Sequence, residues 1–137
     1  MSPEFALQYA VRERLVGTEA VTALVPATSI LDRNARPTPT PSIIIGEAQA
    51  VDEGDSIARN VVQVYLDLHV WMKEDSTAGV KLISGTIRQA IKLGRLAPAS
   101  GFHFADCYVR NVRFLRDPDG ETSHAVVTIS AKVQEIG

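Results

Sequence analysis

At 137 residues, with 45% hydrophobic and 22% charged residues, the chain has the length and composition of a single domain, 1–137, with its own core. A formal net charge of −2 leaves no general basic footprint for nucleic acid, and one cysteine, Cys107, excludes an internal disulfide and a cysteine-rich metal site. No apolar run approaches the roughly 20 residues of a membrane helix, and the N-terminus has no signal-peptide core, so the chain is expected to stay in a reducing cytoplasm.

The first predicted element is a helix over 2–16. Ser2 suits the N-cap, Pro3 the first turn, Glu4 the positive end of the helix dipole, and Gly17 the position after the last turn. Its apolar residues form two stripes. Leu7, Val11 and Leu15 make one; Phe5, Tyr9 and Val16 lie nearly opposite. A helix on the surface of a monomer needs only one apolar face, so the second stripe meets either a covering loop or another subunit. Thr18 is read as the cap of a short helix over 19–25, stopped by Pro26, and Ser29–Asp32 as a short strand. Pro37, Pro39 and Pro41 make 33–42 an extended, stiff link that cannot lie inside a sheet.

Ile43–Glu47 reads as a strand. After it comes an acidic stretch with Glu47, Asp52, Glu53 and Asp55 and no basic residue, either a solvated loop or an arm reaching a partner. Residues 58–72 form the longest predicted strand. Val62, Val64, Leu66, Leu68 and Val70 share its core face; Gln63, Tyr65, Asp67, His69 and Trp71 share the other, which suits a second covering layer or an interface. A helix over 76–93, capped by Asp75 or Ser76 and ended by Gly94, places Val80, Ile83, Ile87, Ala90 and Ile91 on one stripe. Residues 105–134 then read as a β-hairpin around Asp117-Pro118-Asp119-Gly120. In its second strand Ala125, Val127, Ile129, Ala131 and Val133 alternate inward. In the first, Cys107 and Val109 are out of phase with Val112 and Phe114, which predicts a β-bulge near Arg110–Asn111.

Chemistry is sparse. There is no Gly-rich phosphate loop, no GxSxG elbow and no HExxH. Asp67 and His69 on one strand face supply at most two metal ligands, and a small enzyme built on them would need a third group nearby. The acids gather at 47–55 and the bases later, at Arg88, Lys92, Arg95, Arg110, Arg113 and Arg116. That separation is ordinary for a solvated surface, and it also fits a head-to-tail contact of acidic loop and basic hairpin between copies.

The order of these segments resembles the tail-completion proteins of long-tailed bacteriophages, the tail terminators or head–tail joining proteins, with relatives in prophages and gene transfer agents. The resemblance is carried by ALQYAVRERLVG, AVTALVPATSILDR, the strand PSIIIGE, the strand-to-helix run VYLDLHVWMKEDSTAGVKLISGTIRQAI, and the terminal hairpin FLRDPDGETSHAVVTISAKV. It implies an α+β fold, an antiparallel sheet with two main helices packed against it and a C-terminal hairpin. It implies a structural virion protein, no enzyme, no cofactor and no metal. The partners it implies are five further copies in a hexameric ring, the tail tube protein and the head connector or stopper. DNA would pass through the ring without being read, and assembly would take place in the bacterial cytoplasm. A related head–tail adaptor or tail-tube subunit is the alternative. The interface residues expected on this reading are Phe5, Tyr9, Glu47, Asp52, Glu53, Asp55, Tyr65, Trp71, Arg110, Arg113 and Arg116.

Overall fold

The computed structural model describes residues 1–32 and 41–136, so most of the proline link lies outside the described residues. The elements run α1 (Pro3–Val16), α2 (Glu19–Thr22), a 3-10 turn (Ala27–Ser29), β1 (Ile30–Asp32), β2 (Ser42–Val51), β3 (Val61–Lys73), α3 (Ala78–Ile91), β4 (Phe102–Arg116) and β5 (Thr122–Glu135). This is the expected α+β class. The five strands form one sheet in the order β1-β2-β3-β5-β4. All neighbours are antiparallel except β1 and β2, so the sheet is mixed at one edge.

Strict alternation along β3 and β5 sets the layers. The two strands pair without a break from Val61–Gln134 to Lys73–Thr122. Val64, Leu66, Leu68 and Val70 lie beside Ala125, Val127, Ile129 and Ala131 on one side, all fully buried. α1 brings Leu7, Val11 and Leu15 to this side, and α3 brings Val80, Ile83, Ile87 and Ile91. Both main helices thus cover the same face of the sheet. The opposite, outer face carries Gln63, Tyr65, Asp67, His69 and Trp71, as the alternation predicts.

β2 and β4 depart from regular pairing where the sequence is locally out of phase. β4 has the expected bulge, a register shift between Val109 and Asn111. It has a second between Ala105 and Tyr108, where Asp106 takes a φ of 52°. Together they return Cys107, Val109, Val112 and Phe114 to the helix side, with Lys81 of α3 lying 5.5 Å over the Phe114 ring. β2 continues to Val51, beyond the predicted end at Glu47, by inserting a bulge between Ile45 and Ala48. The acidic stretch is therefore strand as far as Val51 and loop only over 52–60.

Several caps differ from the sequence expectation. Ser2 Oγ does accept from the Phe5 N–H at 3.2 Å. Thr18, however, donates its hydroxyl back to the Arg14 carbonyl at 2.6 Å, so it closes α1 and does not cap α2. Neither Asp75 nor Ser76 is the N-cap of α3; that position is Thr77, which makes no side-chain cap. The orphan N–H groups of Gly79 and Val80 go to the Glu74 carboxylate, at 2.9 and 3.1 Å. A Cβ on Gly79 would lie 2.8 Å from that carboxylate, so a larger residue there would push the Glu74 side chain aside. The turn at 117–120 is as predicted: the Gly120 N–H reaches the Asp117 carbonyl at 3.0 Å and Gly120 has a φ of 71°.

Arg14 joins the two main helices. Its guanidinium donates to the carbonyls of Ala90, Gly94 and Arg95 at 2.9, 3.1 and 3.1 Å, closing the C-terminal end of α3 from the side of α1. We expect Arg14→Ala to lower unfolding stability by about 1–3 kcal/mol in urea titration. Arg14→Lys should recover less than half of the loss, because an ammonium cannot serve three carbonyls spread along a fork. Full recovery by lysine would show that charge alone matters.

Candidate subunit interface

Asp67 and His69, the two side chains on which a small enzyme would be built, are both engaged by neighbours on the sheet. Asp67 Oδ1 accepts from the Thr128 hydroxyl at 2.6 Å. His69 is engaged at both ring nitrogens, Nδ1 lying 2.8 Å from His124 Nε2 and Nε2 lying 3.1 Å from Glu47 Oε2. One proton per ring satisfies both contacts, with His69 Nε2–H donating to Glu47 and His124 Nε2–H donating to His69 Nδ1. Neither nitrogen of His69 is then left as a metal ligand. Among the described residues no group of three or more His, Cys, Asp or Glu side chains could hold a metal ion.

This chain of groups is assembled by the β2 bulge. Bulging at Gly46 and Glu47 turns the Glu47 carboxylate to the outer face, above β3. Gly46 makes room for the imidazole, since a Cβ there would meet His69 Cδ2 at 2.5 Å. His124 comes from β5 and stacks on Trp71 with ring centres 3.8 Å apart and planes 8° from parallel. Glu47, His69, His124 and Trp71 thus form a continuous ridge across three strands. Three histidines scattered at 69, 103 and 124 gave no sign of it, because the pairing depends on strand register.

Further along the outer face, Tyr65 collects the predicted charges. Its hydroxyl donates to Glu53 at 3.3 Å, and the Arg110 guanidinium lies 5.0 Å over its ring. Arg110 is the residue inserted by the β4 bulge, and it reaches across β5 where Thr128 and Ser130 present short side chains. Asp52 pairs with Arg59 at 3.4 Å, and Asp55 with Lys132 at 3.4 Å. The loop acids and Arg110 therefore meet within one chain. The charge separation read along the sequence is thus partly closed within one chain. Arg116 leaves the group as well: it lies opposite Ser123 on the helix side and donates to the Asp75 carbonyl at 3.3 Å. Arg113, opposite Val126, stays exposed on the outer face.

The remaining predicted residues lie on the other side of the molecule. Phe5 and Tyr9 project from α1 with 54% and 51% of their surface exposed, so no described loop covers the second stripe. Val16, by contrast, packs on the core. The expected residues thus fall on two separate surfaces, an aromatic and charged sheet face and an aromatic strip on α1. Tyr108 and Leu115, also exposed, belong to the outer face and were not foreseen, because two bulges in β4 reset which positions point outward.

Burial pushes the Cys107 thiol up to about 12, from an ordinary value of 9.0. Thiolate chemistry at pH 8 should accordingly be at least about a hundredfold slower in the folded protein than in urea-unfolded chain, as read with a colorimetric disulfide reagent. Equal rates would show that the thiol is accessible. The hydrogen bond to His69 is the main cause that holds the Glu47 carboxyl below its ordinary 4.5. A carboxylate depressed in the folded state adds stability above the unfolded value of about 4.5 and loses it as pH falls through the lower folded value. Glu47 is mostly exposed, so this contribution stays under about 1 kcal/mol. The melting temperatures of wild type and Glu47→Gln should differ slightly at pH 6 and converge toward pH 3; a difference that grows on acidification would reverse the assignment.

Comparison with known proteins bears on what these surfaces serve. A family model described as tail completion protein gp17 matches residues 9–134. Among solved structures, a chain of the virion of a native gene transfer agent particle superposes with a TM-score of 0.81 at 18% identity, covering 95% of this chain and 96% of that one. The gp17 protein of bacteriophage SPP1 superposes with a TM-score of 0.60 at 23% identity, covering 98% and 91%. At these identities the likeness is one of fold. No curated protein matches the chain. Among the described residues no helix is long and apolar enough to cross a membrane. With nearly its whole length matched, the chain belongs to the tail completion protein gp17 family and is a structural protein of virion tail assembly.

Proposed function

We propose that this protein acts as a tail terminator. Copies close into a ring, six in number, on the end of the tail tube, and the ring then offers a surface to the head connector or stopper. It works at the head–tail junction of a virion assembled in the bacterial cytoplasm. The observation that carries this reading is the family match over residues 9–134. The molecule's two uncovered surfaces support it, since a ring of identical subunits needs two different contact surfaces on every copy. The outer sheet face supplies one, with Glu47, Tyr65, Trp71, Arg110 and Arg113, and the loop with Asp52, Glu53 and Asp55 lies at its end. α1 supplies the other, with Phe5 and Tyr9. Arg116, bound to the start of α3, borders the first surface and does not belong to it.

The channel of such a ring would pass DNA without reading it. A chain with a net charge of −2 lacks the excess of lysine and arginine that holds a phosphate backbone. The role asks for no reaction step, and it rests on shape and surface chemistry alone.

The test is the mass of the purified protein by light scattering after size exclusion, with negative-stain images of the peak. Six copies of 14.8 kDa give about 89 kDa, in closed rings of one layer. If the protein is monomeric alone, rings should appear on the ends of purified tail tubes. Open-ended polymers would identify a tail-tube subunit instead. Binding to isolated heads but never to tubes would identify a head–tail adaptor.

A further inference from the structure

The loop between β2 and β3 is held by hydrogen bonds yet carries an unexplained side chain at its tip. Asp52 Oδ1 accepts from the Gly54 N–H at 2.9 Å, Ser56 Oγ donates to Asn60 Oδ1 at 2.7 Å, and the Arg59 N–H closes a β-turn onto the Ser56 carbonyl at 3.1 Å. Asn60 and Glu135 tie the loop to the end of β5 through a 2.8 Å backbone bond. Ile57 occupies the second position of that turn and is fully exposed, at 101%. Turn geometry gives no reason for a β-branched aliphatic there, where Pro, Asp or Ser is the common choice. One exposed aliphatic is ordinary in itself. Here it stands on a braced loop that also carries Asp52, Glu53 and Asp55.

A hollow with an apolar lining lies on the helix side. Between α1 and the segment that leads into β4 there is a groove of about 430 Å³, with Tyr9, Ala10, Leu96, Ala97 and Pro98 as its apolar lining and Arg95 on its rim. Arg95 also borders a second hollow of about 400 Å³, toward Lys92 and the first β4 bulge. Glu13 is the one acid of the first groove, and Asp106 of the second. Arg14 is already committed to three carbonyls, which leaves Arg95 and Lys92 as the cations turned to an incoming acidic segment.

Loop and groove sit at the same end of the sheet, where β3 and β4 begin. The loop bonds of Glu53 and Asp55 lie on the outer face, while the groove opens on the helix face. A contact joining them runs from the front of one copy to the back of the next at one level along the strands. Such a front-to-back contact is heterologous, the kind that closes into a ring when the rotation between copies permits.

We propose that the 52–60 loop of one copy seats in the α1-side groove of the next, with Ile57 filling the apolar hollow against Tyr9 and Pro98 and with the loop acids facing Arg95 and Lys92. The proposal rests on the ring reading above and names the contact that closes it. The test uses the full chain, with Ile57→Asp to remove the knob and Ala97→Trp to fill the hollow. Both positions are exposed, and circular dichroism checks that each variant keeps the wild-type fold. Each should weaken assembly at least about tenfold, read as the concentration needed for half-maximal ring in light scattering. The double variant Ile57→Cys with Ala97→Cys should give a ladder of covalent oligomers on oxidation that ends at the ring. Rings that form equally well in both single variants, without cross-links in the double one, overturn the loop contact and leave the ring reading standing. Wild type that forms no ring, either alone or on tubes, overturns both. Variants with intact rings that no longer join heads to tails would assign the groove to another virion protein and also overturn the proposal.

Discussion

The unbroken pairing of β3 with β5 is the constraint on which the rest of the structure depends. Thirteen residue pairs in register leave two faces of opposite character, because side chains alternate with a period of two. A slip of one residue would exchange Leu66 and Ile129 for Tyr65 and Ser130 in the core. The helices have only one apolar face to cover, and both main helices take it. The other face is consequently free to carry aromatic rings, imidazoles and charge, the kind of side chains that subunit contacts use.

Against this regular centre, β2 and β4 do the positioning. Each bulge changes which residues point outward beyond it. The β2 bulge delivers Glu47 to His69, and the β4 bulges deliver Arg110 to Tyr65 while returning Val112 and Phe114 to the helices. Among the described residues β4 is also an edge strand, with one side open to other strands. Two bulges interrupt that edge and reduce its use as a template for unwanted pairing. The same irregularities thus shape the outer surface and protect the sheet edge. Burial of the surface in an assembly would strengthen the charged contacts on it, since each is weak while exposed to water.

The acidic loop shows how charge arrangement can mislead when it is considered in one dimension. Residues 47–56 contain no base, and most of the bases after it gather at 88–116, which suggests two patches that meet only between molecules. Folding brings Lys132, Arg59 and Arg110 to the loop and to Tyr65 within a single chain. What the loop retains for a partner is its shape, its surplus of negative charge and the uncovered Ile57.

Much of the fold was legible in the sequence because its signals are local. The alternation in 61–70 and 125–133, the apolar stripe of α3, the Asp-Pro-Asp-Gly turn and the two-sided α1 each follow from periodicities or turn chemistry within a few residues. The phase error between Val109 and Val112 even located one bulge. Caps were less legible. Glu74 and Arg14 reach groups that sit elsewhere in the chain or beyond the usual cap spacing, and Thr18 had two helix ends within reach. The candidate interface was legible only as a list of residues. Which of them share a face depends on strand order and bulge position, and strand order places β5 between β3 and β4 so that Tyr65 and Arg110 meet across it. By itself the sequence determined the elements, their apolar faces and the family to which their order points, since periodicity and turn chemistry act along the chain. Only the tertiary structure decided that Glu47, His69, His124 and Trp71 form one ridge, that Asp52 and Asp55 find bases within the chain, and that Phe5 and Tyr9 stay uncovered, because these outcomes depend on register and packing between segments.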